Sequence, residues 1–247
     1  MHIIEMVGAM VLLYFASLLI ICLYRDRINT RIANAMFIIA DFVFFAFWTY
    51  SAYQKGWIVD GFLTFGNISP LMFTTIIFLP LFNAKVRSFA ESAIAYLSLG
   101  MFLAMLISPE HAYLFSFLAE ADLNYTAETA CHMLCSLFGL YLIISGQVKV
   151  NYKTLLKAMA YLYSVISFAV VLNFVFHRSY FGMDPYGDYG IYMIDIFGSF
   201  PATLAAYYLG IFVVLGLGMH SGAFVSKMVD RIFGENRNKQ HTDTENN

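Results

Sequence analysis

Long apolar stretches alternate with short polar segments from one end of this chain to the other. Most of these stretches hold roughly 17 to 25 residues, the length that a helix needs to cross about 30 Å of hydrocarbon. The pattern predicts seven membrane-spanning helices, over residues 3–23, 32–53, 68–82, 89–107, 125–146, 154–176 and 191–218. We expect Gly198 and Pro201 to interrupt the outer part of the seventh. The sequence therefore predicts an all-α membrane protein, a seven-transmembrane-helix bundle.

The composition supports this fold class. Hydrophobic residues make up 60% of the chain and charged residues 12%, against about 25% charged in soluble domains. The mean hydropathy is +0.70. No stretch remains for a separate soluble domain, so we assign residues 1–233 to one transmembrane domain. The polar segment 234–247, GENRNKQHTDTENN, lacks apolar spacing and predicts a disordered cytoplasmic tail.

Basic residues are unevenly distributed between the loops, and cytoplasmic loops are enriched in Lys and Arg. Only Lys55 and Arg178 occupy the second and sixth loops. The first, third and fifth loop regions carry eight: Arg25, Arg27, Arg31, Lys85, Arg87, Lys149, Lys153 and Lys157. The first helix also lacks the positive leading segment of a cleavable signal peptide. We therefore predict an N-terminus outside and a C-terminus in the cytoplasm.

Charge and cysteine content narrow the choice of partners. The net charge is -2 and neither sign forms a run, which argues against nucleic acid as a partner. The three cysteines, Cys22, Cys131 and Cys135, lie in apolar helices and are interpreted as buried thiols. Membrane lipids are the expected partners, and the sequence leaves the oligomeric state open.

The fifth predicted helix carries the least membrane-like residues of the chain. One stripe at helical spacing contains Glu128, Cys131, His132, Cys135 and Gly139. The opposite face, which we expect to contact lipid, consists of Met133, Leu137, Leu140 and Ile144. Ionisable residues inside a bilayer usually face the interior of the bundle and mark a site. The stripe therefore predicts a functional surface inside the protein.

Other polar residues of the predicted helices gather in the outer half of the bundle. A rise of 1.5 Å per residue puts His132 about 9 Å below the outer edge and Asp41 about 14 Å deep. Near the outer end lie Asn67, Asn173, His177 and Asp195. We predict a polar pocket there, with Asp41, Asn67, Asn173 and His177 as ligand-binding candidates.

Several of these residues also have a purely structural interpretation. A helix N-terminus favours the carboxylate of Glu128, and His132 can serve as a neutral hydrogen-bond partner between helices. Cys131 and Cys135 are typical small packing residues. Asp41 is the hardest to explain in this way, because a central carboxylate costs about 2.5 to 3.5 kcal/mol and must be protonated, paired or hydrated.

No local motif identifies the chemistry. The chain lacks H-E-x-x-H, Walker and G-x-S-x-G patterns, and we expect no metal and no cofactor. An enzyme hypothesis makes His132 a general base, assisted by Glu128 or Asp195, that acts on a lipid acyl or head group. The alternative is a transporter or membrane sensor of a small molecule or ion, in which Asp41 is a proton-linked group.

Five segments carry a resemblance to a known family: NISPLMFTTIIFLPLF, AMLISPE, CHMLCSLFGLYLII, LNFVFHRSYFGMDP and IDIFGSFP. Their order from Asn67 to Gly218 resembles the YwaF-like family of bacterial integral membrane proteins, to which an animal ether-phospholipid acyltransferase is distantly similar. The resemblance implies a bacterial cytoplasmic membrane, and it places His132 where the family carries a histidine followed by a tyrosine, here Tyr141. Leu71 and Met72 occupy the positions where the family often has Cys or His. An acyl-carrying cysteine is therefore not expected here.

The loop charges generate a topological prediction. Cysteines introduced near Ser116 and Tyr186 should react with a membrane-impermeant maleimide added outside the cell, whereas those near Asn29 and Gln147 should not. The readout is the mass shift of the labelled protein. Labelling in the opposite pattern would overturn the orientation.

Overall fold

The computed structural model describes residues 3–25, 27–56, 67–107, 123–183 and 188–245. The labelling sites near Ser116 and Tyr186 lie outside these ranges. The described residues form α-helices and two short 3₁₀ helices, Leu79–Leu81 and Tyr180–Gly182. The α-helices are α1 (Ile3–Tyr24), α2 (Thr30–Gln54), α3 (Ile68–Phe78), α4 (Ala84–Ile107), α5 (Leu123–Ile144), α6 (Tyr152–Phe176), α7 (Asp188–Phe197) and α8 (Phe200–Glu245).

The helix lengths confirm an all-α membrane protein. Within the described ranges there is no strand, and five helices are long and apolar enough to cross a membrane. These are α1, α2, α5, α6 and the Phe200–Phe233 part of α8. With 24 residues, or about 36 Å, α4 is also long enough.

The third helix is shorter than the sequence predicts. Instead of continuing to residue 82, α3 ends at Phe78 after 11 residues, and a 3₁₀ turn follows. The cause is Pro80, which has no N–H to donate and so cannot continue the α-helical hydrogen bonds. The carbonyl of Leu79 accepts hydrogen bonds from Arg87 Nε and Nη2, at 3.1 and 2.9 Å. Alone, α3 is about 17 Å long, well short of the hydrocarbon thickness.

The predicted seventh helix is two separate helices. The break falls at Gly198, whose φ of +79° lies in the left-handed region, and α8 begins two residues later. Pro201 occupies the first turn of α8, where its missing N–H costs no hydrogen bond. An interruption is therefore confirmed, and a single seventh helix is wrong.

The helix α8 also extends further than predicted. It continues to Glu245, through most of the segment 234–247 for which the sequence predicts disorder. No proline follows Pro201, so nothing in the sequence forces the helix to end earlier.

The central element of the fold is α5. It contacts α1, α2, α3, α4 and α8, and nearly all of its residues are buried. The prediction that one face contacts lipid is wrong for three of its four residues, because Met133, Leu137 and Ile144 are buried, and only Leu140 is partly exposed. A helix that is apolar on every side outside a narrow polar stripe is suited to this central position.

Two glycines bring neighbouring helices into backbone contact with α4. A Cβ at Gly139 of α5 would lie 2.6 Å from the Ile94 carbonyl oxygen, and one at Gly218 of α8 would lie 1.7 Å from that of Tyr96. Small residues allow such close approach between membrane helices. These contacts fix α4 between α5 and α8.

Two polar contacts join elements at one end of the bundle. At the end of α1, Arg25 forms an ion pair of 2.8 Å with Asp230 of α8. The side-chain amides of Asn34, near the start of α2, and of Gln147, which follows α5, each donate a hydrogen bond to the other's oxygen. The first loop and the loop after α5 therefore lie at the same end.

The close approach at Gly218 predicts a position-specific defect. Gly218→Ala should lower the free energy of unfolding by about 1–3 kcal/mol, because its methyl group overlaps the Tyr96 backbone. Gly216→Ala is the matched control, since no atom lies within 4 Å of a Cβ at that position. Thermal unfolding in detergent measures both variants, and equal midpoints would contradict this packing.

Candidate functional site

The start of α3 lies against the middle of α5. Asn67 is the N-cap of α3, and its side-chain oxygen accepts a hydrogen bond of 2.9 Å from the Ser69 backbone N–H. Asparagine is among the best N-cap residues because it satisfies an otherwise unpaired N–H of the first turn. This cap fixes the turn from which the Ser69 hydroxyl reaches α5.

His132 is held by hydrogen bonds at both ring nitrogens. Its Nδ1 lies 2.9 Å from the main-chain carbonyl oxygen of Glu128, and its Nε2 lies 3.0 Å from Ser69 Oγ. A carbonyl oxygen only accepts, so Nδ1 carries the proton of the neutral ring and Nε2 presents its lone pair to the Ser69 hydroxyl. The network assigns the tautomer in which Nε2 is a base.

Aromatic rings enclose the imidazole on the side of α2 and α3. The Phe73 ring contacts it edge-on, at 5.0 Å between centroids and 82° between planes. Phe73 in turn packs against Phe45 and Trp48 of α2. His132 is 6% exposed, so this packing restricts rotation of the ring.

The sequence predicts that the carboxylates of Glu128 and Asp195 assist His132 as a general base, but the hydrogen bonds to its ring nitrogens involve a main-chain carbonyl and a hydroxyl instead. Glu128 is buried one turn before His132, but its main-chain carbonyl, not its carboxylate, is the group that orients the ring. Asp195 is exposed on α7, and neither ring nitrogen of His132 bonds to it. The general-base arrangement therefore uses a backbone carbonyl as its orienting group.

Two predicted ligand-binding residues lie at the end of α6. The Asn173 amide donates to the carbonyls of Tyr180 and Met183, and its oxygen accepts from the Tyr180 N–H. His177 is the exposed C-cap of the helix, in the left-handed conformation with φ 51°. We assign Asn173 a structural role, because its side-chain amide forms hydrogen bonds with the loop that follows α6.

Asp41 lies in the middle of α2 and is completely buried, with 0% exposure. Among the residues that the structure describes, neither of its carboxyl oxygens has a hydrogen-bond partner. The carboxyl is near enough to the thiols of Cys131 and Cys135 on α5 to interact with them electrostatically. It belongs to the α2–α5 interface, and it is not a hydrogen-bond partner of either ring nitrogen of His132.

No three His, Cys, Asp or Glu side chains converge on a possible metal site in the part of the chain that the structure describes. The two cysteines on α5 are fully buried, and His132 does not bond to either sulfur. The geometry therefore gives no support to a thiol nucleophile activated by His132.

Two apolar grooves flank α3. One, of about 320 Å³, begins at Ile68, next to Ser69, and runs between α4, α7 and α8 along Leu97, Met193, Phe197, Tyr207 and Ile211. The other, of about 570 Å³, lies between α2 and α3 and includes Phe45 and Thr74. Both volumes fall in the usual range of small-molecule sites. Almost wholly apolar linings suit hydrocarbon chains.

The sequence does not single out Ser69 as a functional residue. A serine next to an N-cap asparagine is a common way to begin a helix, and nothing local distinguishes this one. One feature of the sequence could have drawn attention to Ser69: the polar start of α3 interrupts the apolar sequence at about the membrane depth predicted for His132.

Comparison with known proteins adds no relative. No family model, curated protein or solved structure matches this chain.

Proposed function

We propose that this chain is a multi-pass protein of the cell membrane that binds a lipid or other amphiphile at the Ser69–His132 pair and modifies it. The observation that carries this proposal is the 3.0 Å contact between His132 Nε2 and the hydroxyl of Ser69, whose neighbour in the chain, Ile68, lines an apolar groove. His132 then acts as a general base on a lipid acyl or head group. The resemblance to the YwaF-like family is part of the proposal and supports a bacterial cytoplasmic membrane.

The proposed topology has seven crossings, with the N-terminus outside and the C-terminus in the cytoplasm. Six are made by α1, α2, α4, α5, α6 and α8, and the third includes α3, which by itself is too short to span the hydrocarbon. The contacts Arg25–Asp230 and Asn34–Gln147 support it, because they join four segments assigned to the cytoplasmic end. The short helix α7 belongs to the outer side in this arrangement. The Ser69–His132 pair then lies in the outer half of the bundle, open to lipids of the outer leaflet.

The lipid hypothesis is tested by replacing the base while keeping its hydrogen-bonding capacity. Lipid profiles of cells that express the wild-type chain should differ from those of cells without it. His132→Gln can still accept a bond from Ser69 but cannot take up its proton, so the difference should fall by about 100-fold or more. His132→Ala should lose the lipid change in the same way. It should still fold, because losing one interhelical hydrogen bond costs only about 0.6 kcal/mol.

Two controls accompany this test. His220→Ala replaces an exposed histidine of α8 and should leave the lipid profile as in the wild type. Cys131→Ser together with Cys135→Ser should also be tolerated. A His132→Gln protein that accumulates normally and retains the full lipid change would refute a chemical role for His132.

A second candidate function, a proton-linked transporter or sensor, is favoured by one specific observation. An unpaired carboxylate cannot remain buried at low cost, yet both oxygens of Asp41 lack a partner. In this hypothesis Asp41 is protonated and neutral while it is buried. It releases its proton when α2 moves against α5 and takes it up again on return, which would couple the movement to a proton.

Substitutions of Asp41 test its burial. Asp41→Asn keeps a neutral side chain of the same size and should preserve accumulation and thermal stability. Asp41→Lys introduces an unpaired charge into the α2–α5 interface and should prevent accumulation. Fluorescence-detected size-exclusion chromatography measures both variants, and equal behaviour would show that the side chain reaches water.

A further inference from the structure

We propose that Ser69 is the nucleophile of this site and carries an acyl group, as a serine ester, between a lipid donor and an acceptor hydroxyl. The inference rests on the proposed function and names its substrate class, an ester-linked acyl lipid. It is carried by the juxtaposition of Ser69, His132 and the groove that begins at Ile68.

The first step of the argument is the geometry of the pair. The 3.0 Å between Ser69 Oγ and His132 Nε2 lies within the reach at which a base removes a hydroxyl proton. A nucleophile, a base and a third group that orients the base are the parts of a serine triad. Here the Glu128 main-chain carbonyl is the orienting group, and the edge-on contact with Phe73 holds the ring.

The second step concerns the charge that develops during attack. Ser69 belongs to the first turn of α3, where the helix dipole contributes partial positive charge. An acyl carbonyl attacked by Ser69 gains negative charge on its oxygen close to this turn. Fixed dipoles at such a position lower the barrier most strongly where water is excluded.

The third step is the location of the acyl chain. Ile68 lines the groove between α4, α7 and α8, and its neighbour in the chain is the proposed nucleophile. An acyl chain lying in this groove has its ester end near the beginning of α3. The half-buried state of Ser69 is compatible with access of that ester.

The reaction balances without a further reagent. The Ser69 proton moves to His132 Nε2, the Oγ–acyl bond forms, and the ester bond to the donor alcohol breaks. The imidazolium then returns the proton to the departing alcohol oxygen. In the second half His132 removes a proton from a lipid hydroxyl or water, whose oxygen forms a bond to the acyl carbon. The Oγ–acyl bond then breaks, and the imidazolium returns the proton to Ser69 Oγ.

The experiment uses an alkyl fluorophosphonate, which phosphonylates activated serines, on the full-length protein in detergent. Intact mass and peptide mapping should show one adduct, at Ser69. Ser69→Ala should give none, and His132→Gln should slow labelling by about 100-fold. Ser221→Ala is the matched control, because its hydroxyl only bonds to Leu217 of its own helix, and it should label as the wild type does.

Three outcomes would overturn the proposal: no adduct on folded wild-type protein, an adduct that persists in Ser69→Ala, or equal labelling rates with and without His132. Ser69→Cys guards against a folding artefact, since it should retain the acyl group as a thioester that neutral hydroxylamine releases. If Ser69→Ala keeps the lipid change that His132→Gln abolishes, the proposed function stands and the covalent step is refuted.

Discussion

The backbone contact of α4 with Gly139 on one side and Gly218 on the other is the constraint on which the rest of the bundle depends. In a membrane the apolar surfaces of helices gain little by leaving lipid, so close van der Waals packing must supply much of the stability. Because α4 also packs on α6, the two glycines connect the later helices to α5. The position of α5 in turn determines where His132 meets α3. A side chain at either glycine would therefore disturb the site as well as the packing.

Burial of α5 creates two polar environments of different character. His132 has both ring nitrogens bonded, so its burial is compensated. Asp41 is more deeply buried and has no bond to either oxygen, and an unsatisfied buried group costs about 1–3 kcal/mol. Retaining such a group is hard to explain by stability alone. The first environment is suited to taking up a proton from a neighbouring hydroxyl, and the second to holding a proton itself.

The shortness of α3 is what brings a serine hydroxyl to the middle of α5. A helix start at this depth leaves backbone groups that need partners, and Asn67 supplies one. His132 lies nine residues into α5, about 13 Å along its axis, so the pair is well separated from the helix end. Apolar grooves on both sides of α3 give hydrocarbon access to this depth. This combination of a buried, oriented base and an apolar approach favours a lipid as the substrate.

Hydropathy and spacing were enough to predict the helical class, most helix boundaries, the break at Gly198 and the stripe that contains His132, because these depend on residues close together in the chain. Pro80 also lies in the sequence, but its effect on α3 competes with an apolar run that continues past it. Burial of α5 on every side, the pairing of Ser69 with His132 and the isolation of Asp41 were decided by tertiary structure. Ser69 and His132 are separated by 63 positions, and which side chain fills the space beside a given helix face depends on how distant helices pack. That choice is made by non-local contacts, which no local pattern of residues encodes.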